Sequence, residues 1–341
     1  MKTVLVTGGA GFIGSHLVHH LYQTYPDVRL LVLDALTYAG NVENLPNKGH
    51  NSDRFEFWYG DVRNAELVDT LVSRSNMVVH LAAESHVTRS IYDNRLFFDT
   101  DVMGTQAVAN AVTKFKDQIE RFIHISTSEV YGTATTDTMN EDHPLSPLSP
   151  YASAKCGADR LVYSYWATYD IPAVILRPFN NFGPRQHLEK VIPRFITSCL
   201  IGEPLTVHGD GSAARDFVFV QDACELIDRV MHAQPKTVIG HTINCGTGQH
   251  HTILAIAEMV KELTGVESSI EFIGDRPGQV FRHTADASKA LNLLNWKPSR
   301  SFDEGLRTTI DWYRQNEAWW RQQMWMRKIQ IVTASGNSEL H

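Results

Sequence analysis

Short runs of apolar and β-branched residues alternate along the chain with longer segments that have the spacing of amphipathic helices. The strand-like runs are Thr3–Val6, Leu30–Leu33, Met77–Leu81, Phe122–Ile125 and Ala173–Leu176. Helical spacing is found between them at Ser15–Tyr25, Val102–Phe115 and Tyr151–Tyr169. This alternation predicts an α/β fold, a doubly wound parallel sheet covered by helices on both faces.

The rhythm changes after Arg177, where prolines and glycines separate shorter elements. We expect a first domain over residues 1–180 and a smaller mixed α/β lobe over 181–216 and 243–328, with 329–341 as a tail. Residues 217–242 are predicted to return to the first domain, because Val218–Met231 has the pattern of a strand followed by a helix. Ile253–Thr264 and Phe302–Arg314 are predicted helices of the small lobe.

Composition excludes several classes of function. The chain has 341 residues, of which 43% are hydrophobic and 20% charged, with a net charge of −7. The acidic balance argues against a nucleic-acid surface. No apolar run approaches the roughly 18 residues of a membrane span, and the start MKTVLVTGG has no signal-peptide core, so the predicted location is cytoplasmic. The four cysteines have no C-x-x-C spacing, so we expect neither a metal site nor disulfides.

The glycine-rich stretch TGGAGFIG directly follows the first predicted strand and precedes a helix. Gly8 permits the tight turn, Gly11 lets the backbone approach a pyrophosphate at the helix N-terminus, and Gly14 allows close packing of helix on sheet. Asp34 ends the second strand, where a carboxylate binds ribose hydroxyls and repels a 2′-phosphate. The pattern predicts a Rossmann-type domain that binds NAD. Asp61, in YGDVR, stands at a further strand end, where it could meet the adenine.

The stretch YASAK places Tyr151 and Lys155 four residues apart on one face of a predicted helix. A phenol has an unperturbed pKa near 10. We expect the ammonium and the nicotinamide ring to lower the pKa of Tyr151 toward neutrality, which would make it a general base for oxidation of an alcohol.

The stretch STSEVYG follows the predicted strand Phe122–Ile125, taken as the fourth strand, at the sheet edge where ligands of doubly wound folds bind. Thr127 can share the substrate hydroxyl proton with Tyr151. Glu129 exceeds what alcohol oxidation needs, whereas removal of a carbon-bound proton beside a new ketone requires such a base.

Together these motifs resemble the extended short-chain dehydrogenase/reductases, and within them the nucleotide-sugar 4,6-dehydratases of the dTDP-glucose 4,6-dehydratase type. The resemblance runs from about residue 1 to 315, and its more specific motifs are DALTYAGN and LAAESHV. It implies a cycle on one NAD: oxidation of the sugar at carbon 4, loss of water across carbons 5 and 6 with Glu129 as base, and hydride return to carbon 6.

The resemblance also implies roles for individual residues. The implied catalytic residues are Thr127, Ser128, Glu129, Tyr151 and Lys155. The implied cofactor residues are Gly8, Gly11, Phe12, Ile13, Asp34, Leu36, Thr37, Asp61, Val62, Leu81, Ala83, Thr100, Tyr151, Lys155 and Asn181. The implied substrate residues are Ser85, His86, Asn180, Lys190, Val191, Val207, His208, Arg215, Asn244 and Arg276.

Four positions depart from the pattern of dTDP-glucose enzymes. Ser128 stands where they carry an acidic residue before the glutamate, so the acid for the departing hydroxyl is missing, and the serine could position a water instead. His208 replaces a tyrosine and Gln279 a histidine, both on the nucleotide side, and Asp101 replaces an asparagine. The nucleobase and hexose therefore stay open, with a UDP-linked N-acetylhexosamine as a competitor to dTDP-glucose.

Three other functions share much of this machinery. A nucleotide-sugar 4-epimerase needs no proton abstraction at carbon 5, and a UDP-glucuronate decarboxylase should carry basic groups for a substrate carboxylate. A non-catalytic NAD sensor on the same fold is the remote alternative. By analogy with relatives, the helices Val102–Phe115 and Tyr151–Tyr169 are expected to form a homodimer.

Overall fold

The computed structural model describes residues 1–274, 278, 280–327, 330–332 and 338–340. Its strands are β1 Lys2–Thr7, β2 Val28–Asp34, β3 Phe55–Tyr59, β4 Met77–His80, β5 Arg121–Ile125, β6 Ala173–Pro178, β7 Asn180–Phe182, β8 Leu205–His208, β9 Ala214–Arg215, β10 Phe217–Phe219, β11 Thr242–Cys245, β12 His251–Thr252, β13 Ile270–Ile273, β14 Gln330–Val332 and β15 Ser338–Leu340.

The α-helices are α1 Phe12–Thr24, α2 Ala65–Val72, α3 Val87–Tyr92, α4 Arg95–Phe97, α5 Thr105–Lys114, α6 Pro150–Tyr169, α7 Val191–Ile201, α8 Val220–His232, α9 Pro235–Val238, α10 Ile253–Thr264, α11 Ser288–Leu294, α12 Phe302–Gln315 and α13 Glu317–Arg321. Short 3₁₀ segments cover Val42–Asn44, Pro46–Gly49, Ser128–Tyr131 and Met324–Arg327, and a π-helical segment covers Phe98–Gly104.

Seven parallel strands form the central sheet in the order β11-β6-β5-β4-β1-β2-β3. The inner strands are apolar almost throughout, since both of their faces are covered by helices. On one side of β1 the sheet continues with β2 and β3, and on the other side it continues with β4, β5 and β6. The connections that follow β1 and β4 therefore run in opposite directions and leave a crevice at the carboxyl ends of these two strands. The predicted doubly wound α/β fold is confirmed.

Two apolar clusters cover the two faces of this sheet. One includes Val6, Leu17 and Leu226 beneath α1 and α8. The other includes Leu5, Val108 and Val162 beneath α2, α5 and α6. These clusters hold the strand ends in a fixed relation, so the side chains that follow the strands meet in one place.

A third cluster lies outside the sheet and includes Phe195, Ile256 and Ile310 from α7, α10 and α12. The pairs β7–β10, β8–β13 and β9–β12 accompany it. These contacts support a smaller lobe of the predicted composition, but the domain boundaries stay a prediction. At the chain end, β14 and β15 pair in antiparallel fashion.

Two local features differ from the sequence-based expectation. The strand that ends at Ile125 is fifth in chain order and not fourth, because Phe55–Tyr59 forms an edge strand beside β2. The predicted helix Val102–Phe115 begins earlier, in the π-helical segment Phe98–Gly104, which runs into α5. Such segments are frequent at functional sites.

None of the helices that the structure describes is long and apolar enough to cross a membrane.

Candidate active site

One large pocket of about 560 Å³ opens at the carboxyl edge of the sheet and extends beneath α7. Most of the residues predicted for the site line it: Gly8, Gly11, Phe12, Ile13, Asp34, Thr37, Asp61, Val62, Leu81, Ala83, Ser85, His86, Thr100, Thr127, Ser128, Glu129, Tyr151, Lys155, Asn180, Asn181, Lys190, Val191, His208 and Arg215. The structure therefore brings the cofactor, catalytic and substrate sets together.

Three of the predicted residues that the structure describes, Leu36, Val207 and Asn244, do not line the pocket. Leu36 lies beside the pocket in the left-handed backbone region (φ 47°) and donates its N–H to Asp34. Val207 is fully buried in the core of the small lobe. Arg276 lies outside the described residues, as does Gln279.

Asn244 is buried behind the pocket rather than in its wall. Its side-chain oxygen accepts from the Tyr131 hydroxyl at 2.7 Å, and its amide donates to the carbonyls of Met139 and Asp286. Both ends of the side chain are thus occupied by the protein, and Asn244 ties β11 to Tyr131 and to the loops that carry Met139 and Asp286.

The glycine turn between β1 and α1 forms the cofactor end. Gly8 has φ +69°, and a Cβ there would lie 2.6 Å from the backbone nitrogen of Ala82. A Cβ on Gly14 would lie 2.1 Å from the Gly8 carbonyl oxygen. Gly11 caps α1, whose first turn has no acidic residue to compete with a phosphate. The turn therefore fits a dinucleotide pyrophosphate.

Two carboxylates stand beside this turn. Asp34 accepts from the N–H groups of Ala10 and Leu36, at 2.9 and 2.8 Å, which fixes its side chain at the end of β2. Asp61 is held by Arg63 through the backbone N–H and the guanidinium, and these hydrogen bonds lower the pKa of Asp61. Both positions fit the ribose and adenine sides of NAD.

Tyr151 is half-buried at the other end of the pocket and hydrogen-bonds to Thr127. Burial raises the pKa of Tyr151, and the nearby carboxylates of Asp101 and Glu129 raise it further, whereas the hydrogen bond with Thr127 acts in the opposite direction. This raised pKa is that of the protein groups alone, so the predicted lowering, which includes the charge of the nicotinamide ring, stays a prediction. A deprotonated Tyr151 needs the positive charge that an oxidised nicotinamide ring brings.

Lys155 does not reach the phenol through a direct hydrogen bond in the structure. Its ammonium donates to the carbonyl of Ile125 at 2.7 Å, at the end of β5. Burial lowers the pKa of Lys155, while the charges of Asp101 and Asp159 oppose that shift. Lys155 thus supplies a buried positive charge in the pocket wall.

Glu129 sits in the 3₁₀ segment that follows β5. Its backbone N–H donates to the Thr127 hydroxyl oxygen at 3.2 Å, which turns the chain sharply at the strand end. The Glu129 side chain is 21% exposed, lines the pocket, and acts electrostatically on Tyr151. The acid and the phenol therefore face the same space.

The family can be named from comparison with known proteins. The model of the GDP-mannose 4,6 dehydratase family matches residues 5–309 of the chain. The chain belongs to this family. The predicted resemblance to the extended short-chain dehydrogenase/reductases and their nucleotide-sugar 4,6-dehydratases is thereby confirmed.

Several proteins similar to this family member cover nearly all of its length. The low-salt glycan biosynthesis protein Agl12 of Haloferax volcanii is 45% identical over 312 residues, which is 91% of this chain and 98% of that protein. The crystal structure of DesIV, a dTDP-glucose 4,6-dehydratase from Streptomyces venezuelae with NAD bound, is 39% identical with a TM-score of 0.89 and covers 94% of this chain and 100% of that one.

A plant relative is similar over only part of its own length. The trifunctional UDP-glucose 4,6-dehydratase/UDP-4-keto-6-deoxy-D-glucose 3,5-epimerase/UDP-4-keto-L-rhamnose-reductase RHM2 of Arabidopsis thaliana is 38% identical over 326 residues. That match covers 94% of this chain and 48% of the relative, so the chain spans about half of that protein.

The pocket of this family member contains a buried acidic side chain, Glu189, that the sequence analysis missed. Glu189 accepts from the Tyr38 hydroxyl at 3.1 Å and pairs with Lys190 at 3.0 Å, and His86 lies 3.4 Å away. The charges of Lys190 and His86 outweigh the effect of burial and keep the pKa of Glu189 lowered. The available signal was the acid directly before Lys190, a residue already predicted to bind substrate.

A second missed feature is the buried position of Asp101 beside Glu84 and Lys155. Asp101 is 1% exposed on the π-helical segment and accepts the N–H of Glu84 at 2.7 Å. Burial raises the pKa of Asp101 to about 7, although the charge of Lys155 acts to lower it. The substitution of aspartate for asparagine thus adds an acid beside Lys155 and Tyr151.

Among the described residues, no group of three or more His, Cys, Asp or Glu side chains is arranged to hold a metal ion.

Proposed function

We propose that this protein is an NAD-dependent lyase that converts a nucleoside-diphosphate hexose into the 4-keto-6-deoxy sugar. The observation that carries the proposal is the shared pocket wall of Tyr151 and Glu129. One group can deprotonate a hydroxyl while the other removes a hydrogen from the neighbouring carbon.

The cofactor end fits NAD on three observations. The turn at Gly8 and Gly14 leaves no room for a Cβ, the N-terminus of α1 faces the pocket, and Asp34 is held at the end of β2. An acid at that position disfavours the 2′-phosphate of NADP. NAD held by these residues would supply the acceptor for the hydride of sugar carbon 4 and the donor of that hydride to carbon 6.

The residues of the chain then have separate tasks. Tyr151 takes the proton of the carbon 4 hydroxyl, with Thr127 hydrogen-bonded to it as a second proton partner. Lys155, anchored on the Ile125 carbonyl, stabilises the negative charge that develops on the phenol. Glu129 removes the hydrogen at carbon 5, which the ketone at carbon 4 has made acidic.

The far end of the pocket fits the diphosphate. Lys190, Arg194 and Arg215 line it together, and guanidinium and ammonium groups make charge-assisted hydrogen bonds to phosphate oxygens. Arg194, not predicted from the sequence, comes from α7 and so places a rigid cation beside Lys190.

For the substrate we propose a dTDP- or UDP-linked glucose. DesIV is named a dTDP-glucose enzyme and RHM2 a UDP-glucose enzyme, and both are similar to this chain. His208, held through its Nδ1 by the Gly274 carbonyl at 2.9 Å, replaces a tyrosine at the nucleotide side and favours testing both bases.

The experiment is incubation of the purified protein with dTDP-glucose, UDP-glucose, UDP-N-acetylglucosamine and UDP-glucuronate, followed by mass spectrometry and absorbance at 340 nm. We expect a product lighter by one water with no net NADH. An isomer of unchanged mass would instead indicate an epimerase, release of carbon dioxide a decarboxylase, and no turnover a sensor.

We also propose a homodimer and a cytoplasmic location. Phe98, Met103, Tyr163 and Tyr169 are large apolar residues left 41–52% exposed around the π-helical segment and α6. A second copy packed on these helices would bury them. Sedimentation at micromolar concentration should give twice the chain mass, and a monomer would contradict the proposal of a homodimer.

All four cysteines are free, which supports the proposed cytoplasmic location, since the cytoplasm is a reducing compartment.

A further inference from the structure

His283 lies directly behind Ser128 and Glu129, although it does not line the pocket. Its Nδ1 is 3.4 Å from the Ser128 hydroxyl oxygen and 3.9 Å from Oε1 of Glu129. The imidazole is fully buried. Its backbone is fixed by hydrogen bonds to Ala214 and Asp216, on the segment that carries Arg215 into the pocket.

The other ring nitrogen determines the tautomer. Nε2 lies 2.5 Å from the carbonyl oxygen of Gly132. A carbonyl can only accept, so Nε2 must carry the hydrogen. The neutral ring therefore presents an unprotonated Nδ1 to Ser128 and Glu129, and the Ser128 hydroxyl donates to it.

The charges around the ring agree with a neutral resting state. Burial lowers the pKa of His283, the Glu129 carboxylate raises it, and Arg215 and His143 lower it again. A ring that is neutral at rest, with Nδ1 3.9 Å from a carboxylate oxygen, can accept a proton when that carboxylate has acquired one and moves closer.

Loss of the carbon 6 hydroxyl needs a proton at that oxygen, and Ser128 alone cannot provide it. An aliphatic hydroxyl is about as weak an acid as water. The acid that dTDP-glucose enzymes carry at this position is absent from this chain, so its task must be met by other groups.

We infer that His283 is a positioning residue for the elimination step, one that returns the proton taken up by Glu129 to the departing oxygen through Ser128. The inference rests on the proposed function, in which Glu129 is the base at carbon 5.

The proton and electron balance closes without a further reactant. Glu129 takes the proton from carbon 5, the C–H pair forms the double bond to carbon 6, and the C6–O bond breaks. Glu129 passes its proton to Nδ1 of His283. That nitrogen gives a proton to the Ser128 oxygen as the Ser128 hydroxyl proton moves to the departing oxygen, which leaves as water. All three side chains return to their starting states.

The test follows single turnovers of His283→Asn with the nucleotide sugar that the wild type dehydrates. If the relay operates, NADH still forms and carbon 5 still exchanges its hydrogen in D₂O, both within about tenfold of wild type. Water loss slows by about 10²-fold or more, as expected when acid assistance is lost. NADH and the 4-keto sugar therefore accumulate.

A matched control and a rescue separate the relay from a merely structural role. His250 hydrogen-bonds to Thr284, the residue that follows His283. His250→Asn therefore removes a neighbouring imidazole without touching Ser128, and this variant should keep wild-type rates. Ser128→Asp added to His283→Asn places an acid at the site and should recover at least tenfold in water loss. Should His283→Asn fail to fold, Ser128→Ala must show the same block.

Three results would overturn the inference. These are wild-type water loss in His283→Asn, an equal slowing of all three steps, and a double variant no faster than His283→Asn. If the wild type itself dehydrates no nucleotide sugar, the proposed function fails first, and that outcome is visible before any variant is made.

Discussion

The glycine turn allows a prediction that separates folding from cofactor binding. Gly11 and Gly14 are three residues apart, yet the structure gives them different surroundings. A Cβ on Gly14 would lie 2.1 Å from the Gly8 carbonyl oxygen and 2.8 Å from the Gly9 Cα, whereas a Cβ on Gly11 would meet only the Gly8 oxygen, at 3.4 Å. Gly14→Ala should therefore damage the fold, and Gly11→Ala only the cofactor site.

The size of the Gly14→Ala effect follows from those contacts. Carbon and oxygen atoms that are not bonded keep roughly 3.2 Å apart, so α1 and the turn must separate by about 1 Å. Overpacking of this kind costs about 1–3 kcal/mol. With an unfolding entropy of about 2.1 cal/mol/K per residue, a protein of 341 residues loses about 1.4 °C of melting temperature for each kcal/mol. The expected shift is thus about 1.4–4.2 °C.

The assay is a thermal melt of NAD-free protein together with a titration of NAD. Gly14→Ala should melt about 1.4–4.2 °C below wild type. Gly11→Ala should melt within about 1 °C of wild type but bind NAD at least about tenfold more weakly, because its methyl group occupies the place of the pyrophosphate. Gly157→Ala in α6, whose Cβ would meet only Val102 at 3.3 Å, is a control for adding a methyl to a helix.

The reasoning would be refuted by Gly11→Ala melting as low as Gly14→Ala while binding NAD normally. A Gly14→Ala variant with wild-type stability would show that the turn is looser than these distances indicate.

Three further predictions concern the base at carbon 5, the base at the carbon 4 hydroxyl, and the dependence of stability on pH. Glu129→Gln should bind NAD normally and slow dehydration by about 10²–10⁴-fold, because the base at carbon 5 is lost; wild-type turnover would contradict that assignment. Tyr151→Phe should form no detectable NADH in a single turnover at 340 nm, and NADH at the wild-type rate would exclude the phenol as base. Because burial raises the pKa of Asp101 to about 7, well above its unfolded value of 3.8, the folded protein binds a proton that the unfolded chain releases between these pH values. The contribution of Asp101 to stability should therefore fall as pH rises from about 4 to 7. Asp101→Asn should remove that contribution and raise the slope of the unfolding free energy against pH by up to about 1.4 kcal/mol per pH unit in urea unfolding, an unchanged slope being the contrary result.

The sheet and the cofactor end could be predicted because their signals are local. Apolar runs such as Leu30–Leu33 fall inside observed strands, and the turn at Gly8 depends on residues adjacent in the chain. Helix α6 was predicted within one residue, since its apolar positions repeat and Ser149 caps it through the N–H of Ala152.

The remaining features depend on contacts between distant segments. His283 meets Ser128 across 155 residues, and Tyr38 meets Glu189 across 151, so no spacing in the sequence indicates either pair. The groups that raise the pKa of Tyr151 in the protein alone could not be predicted for the same reason, because its burial and the nearby acids come from separate elements. Asn244 was placed at the substrate by resemblance, whereas its partners in the structure are other buried protein groups.

The central claim is that one hydride moves from carbon 4 to carbon 6 of the same hexose while Glu129 removes the proton from carbon 5. A nucleotide sugar carrying deuterium at carbon 4 tests it directly by NMR of the product. The account predicts a 4-keto-6-deoxy sugar with the deuterium at carbon 6, formed with no net change in NADH. Deuterium retained at carbon 4 of an isomer, or absent from carbon 6 of the product, would contradict it.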